Sequence, residues 1–172
     1  MLKILLKQQI RIFSLWMLVN KLPERLKMAA QKYCTFYLMK EFFGIEVEYV
    51  QEVIRKQNET KIYLAPSEIS GLINLRGHVV PVVNMRVRLE FGDSDDIPEK
   101  QMNVILKNGN GFIGFLVDKI GEVILLDTDD IKAVPETLSG TAKELITGTY
   151  NLENEVLLVL DSEKTKNIKV VL

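Results

Sequence analysis

The sequence predicts a mainly β fold made of two similar units of about five strands each, with a few short helices. Three observations carry this. Short apolar or β-branched runs bounded by turn residues recur from Tyr33 to Asp161. Stretches with helical spacing are brief. Two blocks of sequence recur in the same order, the mark of a repeated structural unit.

Taken in order, "YCTFYL" (33–38) and "FFGIEV" (42–47) flank the polar Lys40–Glu41 pair and form a hairpin candidate. "EYVQEVI" (48–54) sets Val50, Val53 and Ile54 at helical spacing, which predicts one or two helical turns. Residues 55–62 are polar and read as a loop leading into a short strand. "VVPVVNM" (79–85) is a strand, and Pro81 predicts an edge or first-residue position because proline cannot donate to a ladder. "DSDDIPE" (93–99) is an acidic, proline-containing loop between the halves. "MNVILKNGNGFIGFLV" (102–117) is the clearest hairpin, since "NGNG" supplies residues that tolerate positive φ between two apolar runs. "EVILL" (122–126) and "IKAV" (131–134) continue as strands. "EVLLVLD" (155–161) is a last buried strand, entered through the turn residues "NLEN".

The repeat has two parts. "GIEVEYVQEVI" from Gly44 matches "GFLVDKIGEVI" from Gly114, with Gly44/Gly114, Glu48/Asp118 and Val53/Val123 among the pairs. A later block pairs Gly71/Gly148, Asn74/Asn151, Val79/Val156 and Val82/Val159. The expected boundaries are 33–92 for the first unit and 100–163 for the second, within a domain spanning 28–165 and followed by a tail at 166–172. Units this small have little core of their own, so they should pack together. Small β units usually close into barrels to remove their edges. Whether strands are exchanged between the units is left open by the sequence.

Composition narrows the chemistry. Hydrophobic residues make up 47% of the 172, enough for a packed core. The lone cysteine, Cys34, cannot form an intrachain disulfide, and the lone histidine, His78, cannot build a Cys/His metal cage. The net charge of −1 hides an asymmetry: residues 1–27 carry +5 and the remainder −6. An acidic body is a poor match for nucleic acid. The first 27 residues put Leu2, Leu5, Leu6, Phe13 and Trp16 on one helical face and Lys3, Lys7 and Arg11 on another. Three readings stand: a translation start mis-assigned upstream of Met28, a peripheral or partner-docking helix, or a cleaved or artificial leader. The segment's apolar run, Ile12 to Val19, is far too short to span a bilayer.

No catalytic constellation appears. "KNGNGFIG" lacks the Gly-Lys-Ser/Thr ending of a phosphate loop. Neither "DSDDIPEKQM" nor "DTDDIKAVPE" has the central glycine and terminal glutamate of a calcium loop. Ser67, Ser70, Ser139 and Ser162 lack a nucleophile-elbow context. Glu46, Glu48 and Glu52 surround an apolar stripe and read as a solvated face. The chain therefore reads as a non-enzyme with no cofactor and no metal.

One stretch is more specific. "GLINLRGHVVPVVNMRVRLEFG" resembles the signature of the chemotaxis coupling protein CheW family and of the CheW-like regulatory domain of its histidine kinase. That signature runs apolar-Asn-Leu-Arg-Gly, then a strand with "PV", then Asp/Asn-Leu-Arg. "FGIEVEYVQEVI" upstream and "GFLVDKIGEVILL" downstream fit the same family. The resemblance covers about residues 33–163. It implies two SH3-like β-barrel subdomains and no catalysis.

The resemblance further implies a cytoplasmic scaffold recruited to membrane-associated receptor arrays. Its partners would be the helical cytoplasmic tip of a chemoreceptor (a methyl-accepting chemotaxis protein) and the CheW-like domain of the kinase. A groove between the subdomains would take the receptor helix, with Val50, Glu52, Val53, Gly71, Asn74 and Arg76 on or near it. The kinase-contacting residues are not assigned. Arg76 has two readings: a fork of donors for a partner, or an internal brace, for instance to Glu52. The chain departs from relatives at "TKIYLAPSE", where prolines are common, at Asn84, where aspartate is common, and in its short C-terminal segment. Rival functions are an adaptor in a non-flagellar signalling pathway and a small-molecule-binding β module, the latter requiring a deep pocket with convergent polar groups.

Overall fold

The computed structural model describes residues 30–91 and 100–168. The 1–27 segment and the 93–99 loop lie outside the described residues. Ten strands form two five-stranded sheets. They are β1 (Ala30–Leu38), β2 (Glu41–Glu46), β3 (Val50–Arg55), β4 (Ile69–Leu75), β5 (His78–Asn84), β6 (Met102–Asn108), β7 (Gly111–Val117), β8 (Lys119–Asp127), β9 (Ile146–Asn151) and β10 (Val156–Leu160). Three short helices, α1 (Met85–Arg88), α2 (Gly140–Leu145) and α3 (Ser162–Lys166), complete the described elements, with 3-10 turns at Val47–Tyr49 and Thr128–Asp130.

The sheet orders are β8-β1-β2-β10-β9 and β3-β6-β7-β5-β4. Advancing every strand by five, with wrap-around, converts one order into the other, so the sequence repeat is a structural repeat. The sheets cut across the expected bounds 33–92 and 100–163 through the strand exchange that the sequence left open. One sheet is a continuous stretch, β3 to β7, and the other joins β1–β2 to β8–β10. The two N-terminal hairpins, β1–β2 and β6–β7, have traded places between the repeats. Each half thus builds its sheet around the other half's hairpin.

The repeated residues mark this exchange. Where β2 runs parallel to β10, Gly44 faces Val159; where β7 runs parallel to β5, Gly114 faces Val82. Both sheets curl until the chain leaving one edge reaches the other. After β3, Thr60 and Leu72 exchange N–H···O bonds of 2.8 and 2.9 Å. After β8, Lys132 and Thr149 do the same at 2.8 and 2.9 Å. A Cβ on Gly71 would lie 2.9 Å from the Thr60 carbonyl oxygen, and one on Gly148 would lie 2.8 Å from that of Lys132. The repeated glycines are what permits each sheet to close.

Three apolar clusters follow from this arrangement. One fills the space between the sheets, with Phe36, Leu38, Phe43 and Ile45 from one and Val83, Val104, Phe115 and Val117 from the other. The second belongs to the discontinuous sheet (Tyr33, Phe42, Tyr150, Leu157, Val159) and the third to the continuous one (Ile73, Val80, Val82, Ile105, Leu116). Sheets covered on both faces explain why the strands read as unbroken apolar runs. Cys34 sits in the shared core, where burial pushes its thiol up to about 11.

Three local expectations are corrected. Residues 50–55 are a strand, not helix: only Val47–Tyr49 turns, and Val50, Val53 and Ile54 pair with β6. Both faces of β3 meet partly apolar surroundings, so its apolar spacing imitates a helix. β5 lies inside its sheet, between β7 and β4, and Pro81 is its fourth residue. Pairing to β7 begins one residue later, at Val82, so the missing donor falls outside that ladder. "IKAV" is reduced to the single bridge at Lys132.

Glycine at the closure points is a steric requirement, and two substitutions test it. Gly71→Ala is expected to lower stability by about 1–3 kcal/mol, because backbone must move to admit the methyl group. Gly111→Ala, whose Cβ would meet only Asn108 oxygen at 3.8 Å, is expected to stay within about 0.5 kcal/mol of the parent. Urea unfolding midpoints compare the two directly.

Candidate docking site

The β4–β5 hairpin positions the exposed part of the site. Leu75 pairs with His78, leaving Arg76 and Gly77 as a two-residue turn. Both have positive φ, 52° and 90°, the type I′ geometry that favours Asn or Gly at its first position. The Asn74 side-chain oxygen accepts the Gly77 N–H at 2.8 Å, which fixes the turn. Arg76 therefore holds a place where a bulky side chain costs about 1–2 kcal/mol. Its guanidinium Nη2 donates to Glu52 Oε2 at 2.9 Å. β3 and β4 are opposite edges of the sheet order, so this contact spans the closed seam of the barrel. Arg76 is still 75% exposed and Glu52 only 22%, so the pair is rooted in the glutamate and open at the arginine.

The six predicted residues thus separate. Glu52, Asn74 and Arg76 meet at one end of the continuous barrel. Val50 and Val53 lean against the shared core from β3. Gly71 sits at the closure bridge with Thr60 and presents no side chain. Asn84, read as a departure from relatives, caps α1: its side-chain oxygen accepts the Arg86 N–H at 3.1 Å, a task that Asn and Asp perform about equally. Asp161 caps α3 at the equivalent place in the other repeat.

Sequence reasoning did not single out Arg86 and Asp118. Asp118 is the one residue between β7 and β8, where the chain returns from the continuous sheet to the other. Arg86, on α1, grips it with Nε to Oδ1 at 2.9 Å and Nη2 to Oδ2 at 2.7 Å. Both side chains are buried, 7% and 4% exposed. Asp118 Oδ2 also accepts the N–H of Met39, in the β1–β2 turn, at 2.6 Å, and the Asp118 N–H donates to the Tyr37 carbonyl at 3.1 Å. The pair ties a helix of one sheet to the hairpin of the other. The signal lay in the signature's second arginine and in the Glu48/Asp118 repeat pair. The outward crossing, at Val47–Tyr49, is held differently: the ammonium of Lys166 lies 4.8 Å above the Tyr49 ring and donates to the Lys107 carbonyl at 3.2 Å.

A cleft of about 830 Å³ opens elsewhere, between the 62–66 loop and α3. None of the six predicted residues lines it. Of its charged residues, Glu163 and Lys166 pair with each other at 2.6 Å, and Lys164 pairs with Asp161 at 3.3 Å. Among the described residues no group of three His, Cys, Asp or Glu side chains is placed to hold a metal ion, and no helix is long and apolar enough to cross a membrane. Asp127, in the acidic "DTDD" segment, caps its own 3-10 turn by accepting from the Asp129 N–H.

The chain is thus a β protein of two interlocked five-stranded units with an Asn-Leu-Arg-Gly turn. The profile of the CheW-like domain matches residues 32–168, and the chain belongs to that family. It is similar to the chemotaxis protein CheW of Klebsiella aerogenes, 33% identical over 135 residues that cover 78% of this chain and 80% of that one. It is 29% identical to the chemotaxis protein CheW of Treponema pallidum over 133 residues, 76% and 78% of the two chains. The crystal structure of the scaffolding protein TtCheW from Thermoanaerobacter tengcongensis superposes with a TM-score of 0.71 at 26% identity, covering 81% of this chain and 89% of that one.

The two arginines should behave oppositely. Removing one partner of the buried pair, as in Arg86→Met or Asp118→Leu, is expected to cost about 3–5 kcal/mol. Arg76→Ala is expected to cost less than about 1 kcal/mol, as for exposed ion pairs. Urea titrations of the three variants read both values.

Proposed function

We propose that this chain is a non-catalytic chemotaxis scaffold. It couples the helical cytoplasmic tip of a chemoreceptor to the CheW-like domain of a chemotaxis histidine kinase, acting from the cytoplasm in membrane-associated arrays. Membership of the CheW-like family and the scaffolding role named for TtCheW support this reading. The observation that carries the site is Arg76. A left-handed turn position is an unfavourable place for arginine, and an exposed ion pair to Glu52 offsets little of that cost. A strained, exposed, pre-oriented guanidinium serves a partner better than it serves the fold.

The mechanism is docking. Glu52 holds the fork of donors in place, so less side-chain entropy is lost when a carboxylate or a helix C-terminal carbonyl meets it. Asn74 locks the turn that presents it. Val50 and Val53 are half-buried against the shared core, so only their outer parts can offer an apolar strip along β3, and Gly71 keeps the barrel closed behind the turn. An amphipathic helix laid along this face would pack apolar residues on the strip and set its register at Arg76.

Titration of the full chain with a receptor-tip helical hairpin and, separately, with a kinase CheW-like domain tests this. Arg76→Ala is expected to weaken receptor binding at least about tenfold, as for a central arginine anchor, with an unchanged Tm. Receptor affinity equal to that of the parent would remove Arg76 from the interface. Failure of the folded parent to bind either partner would overturn the coupling role.

A further inference from the structure

β8 is an end strand of its sheet order, with β1 as its neighbour there. Its register sets Val123 opposite Cys34, Leu125 opposite Lys32 and Asp127 opposite Ala30. Every second residue along a strand lies on one face, and directly opposed residues share it. Val123, Leu125 and Asp127 therefore project to the same side as Cys34, at the margin of the shared core. Val123 and Leu125 are half-buried. Among the described residues, neither packs against any of the three apolar clusters, whereas Ile124 and Leu126 pack into the barrel interior.

The chain enters β1 at Ala30, opposite Asp127, so residues 1–29 are joined to the body at the end of this strip. Their chemistry complements it. Residues 2–19, as a helix, would gather Leu2, Leu5, Leu6, Phe13 and Trp16 on one face. Such a helix would be about 27 Å long, against about 30 Å for the nine residues of β8. Pro23 ends a helix before it and lets the chain reverse ahead of Ala30. Charge matches at the same end. Lys21, Arg25 and Lys27 precede Ala30 closely, and Asp127, Asp129 and Asp130 close the strip, the last two exposed.

We propose that residues 1–19 dock in cis as an amphipathic helix along the outer face of β8. Their apolar side lies on Val123 and Leu125, and the basic residues at 21–27 face Asp127, Asp129 and Asp130. A tether of about ten residues gives about millimolar effective concentration, so a contact far smaller than an interface between separate chains keeps the helix in place. Glu52, Asn74 and Arg76 belong to the continuous barrel, so this contact is separate from the docking site proposed above.

Trp16 is the one tryptophan of the sequence, so its fluorescence in the full chain reads the contact directly. It is expected to be shielded from acrylamide, equally at about 1 and about 50 µM, because the contact is intramolecular. Leu125→Asp should raise the quenching constant about twofold or more by removing apolar contact. Asp129→Lys combined with Asp130→Lys should raise it as well. Because both side chains are exposed, the urea midpoint of the sheets, followed by far-UV circular dichroism, should stay at the parent value in that variant. A Trp16 freely quenched in the full chain, or shielded but indifferent to both variants, overturns the proposal. Shielding lost on dilution would assign the face to a second copy, and shielding that appears only with vesicles of anionic phospholipid would assign the segment to a membrane surface. Either result also overturns it.

Discussion

The buried Arg86–Asp118 pair is the contact on which the relation between the two sheets depends. Two charges this deeply buried are costly unless each is matched in geometry and number of hydrogen bonds. Here the match is bidentate, and the carboxylate takes a further bond from the Met39 N–H. Asp118 sits at the return crossing, Arg86 follows β5, and Met39 lies in the exchanged hairpin, so one cluster joins three separate stretches of chain. Apolar packing is not directional, whereas a bidentate ion pair is. The buried pair therefore adds an orientation-dependent tie between the sheets to the packing of the shared core.

That constraint sets the docking face. Arg76 and Glu52 come from opposite edges of one sheet, and they meet only because the sheet closes through Thr60 and Leu72. Closure needs Gly71, and the equivalent closure needs Gly148. The exposed site is therefore a consequence of barrel geometry, held by backbone bonds and by the absence of two methyl groups. Its charged pair contributes little to stability and is free to serve recognition.

Much of the fold was legible in the sequence. Glycine, asparagine and polar pairs between apolar runs located the hairpins, because turn chemistry is local. The repeat was visible as paired glycines and valines, and its meaning is physical: Gly44/Gly114 and Val82/Val159 face one another across equivalent parallel ladders. The exchange of hairpins was not legible, because both repeats pair their strands with the same composition whichever copy supplies them. β3 was misread because a strand covered on both faces loses its alternation. In the candidate site, the Arg76–Glu52 contact was foreseeable as a brace. The left-handed turn under Arg76 was not, because an arginine carries no such preference. Asp118 was hidden because a single acid between two apolar strands looks like a turn residue until a buried guanidinium is placed beside it.

The exchanged hairpins are expected to make the two sheets one cooperative body. Native-state hydrogen exchange of the strand amides tests it most directly. One common opening free energy is expected for the slowest amides of β1–β2, β6–β7 and β10, equal to that of global unfolding. A sheet whose core amides open at a distinctly lower free energy than the other's would contradict it.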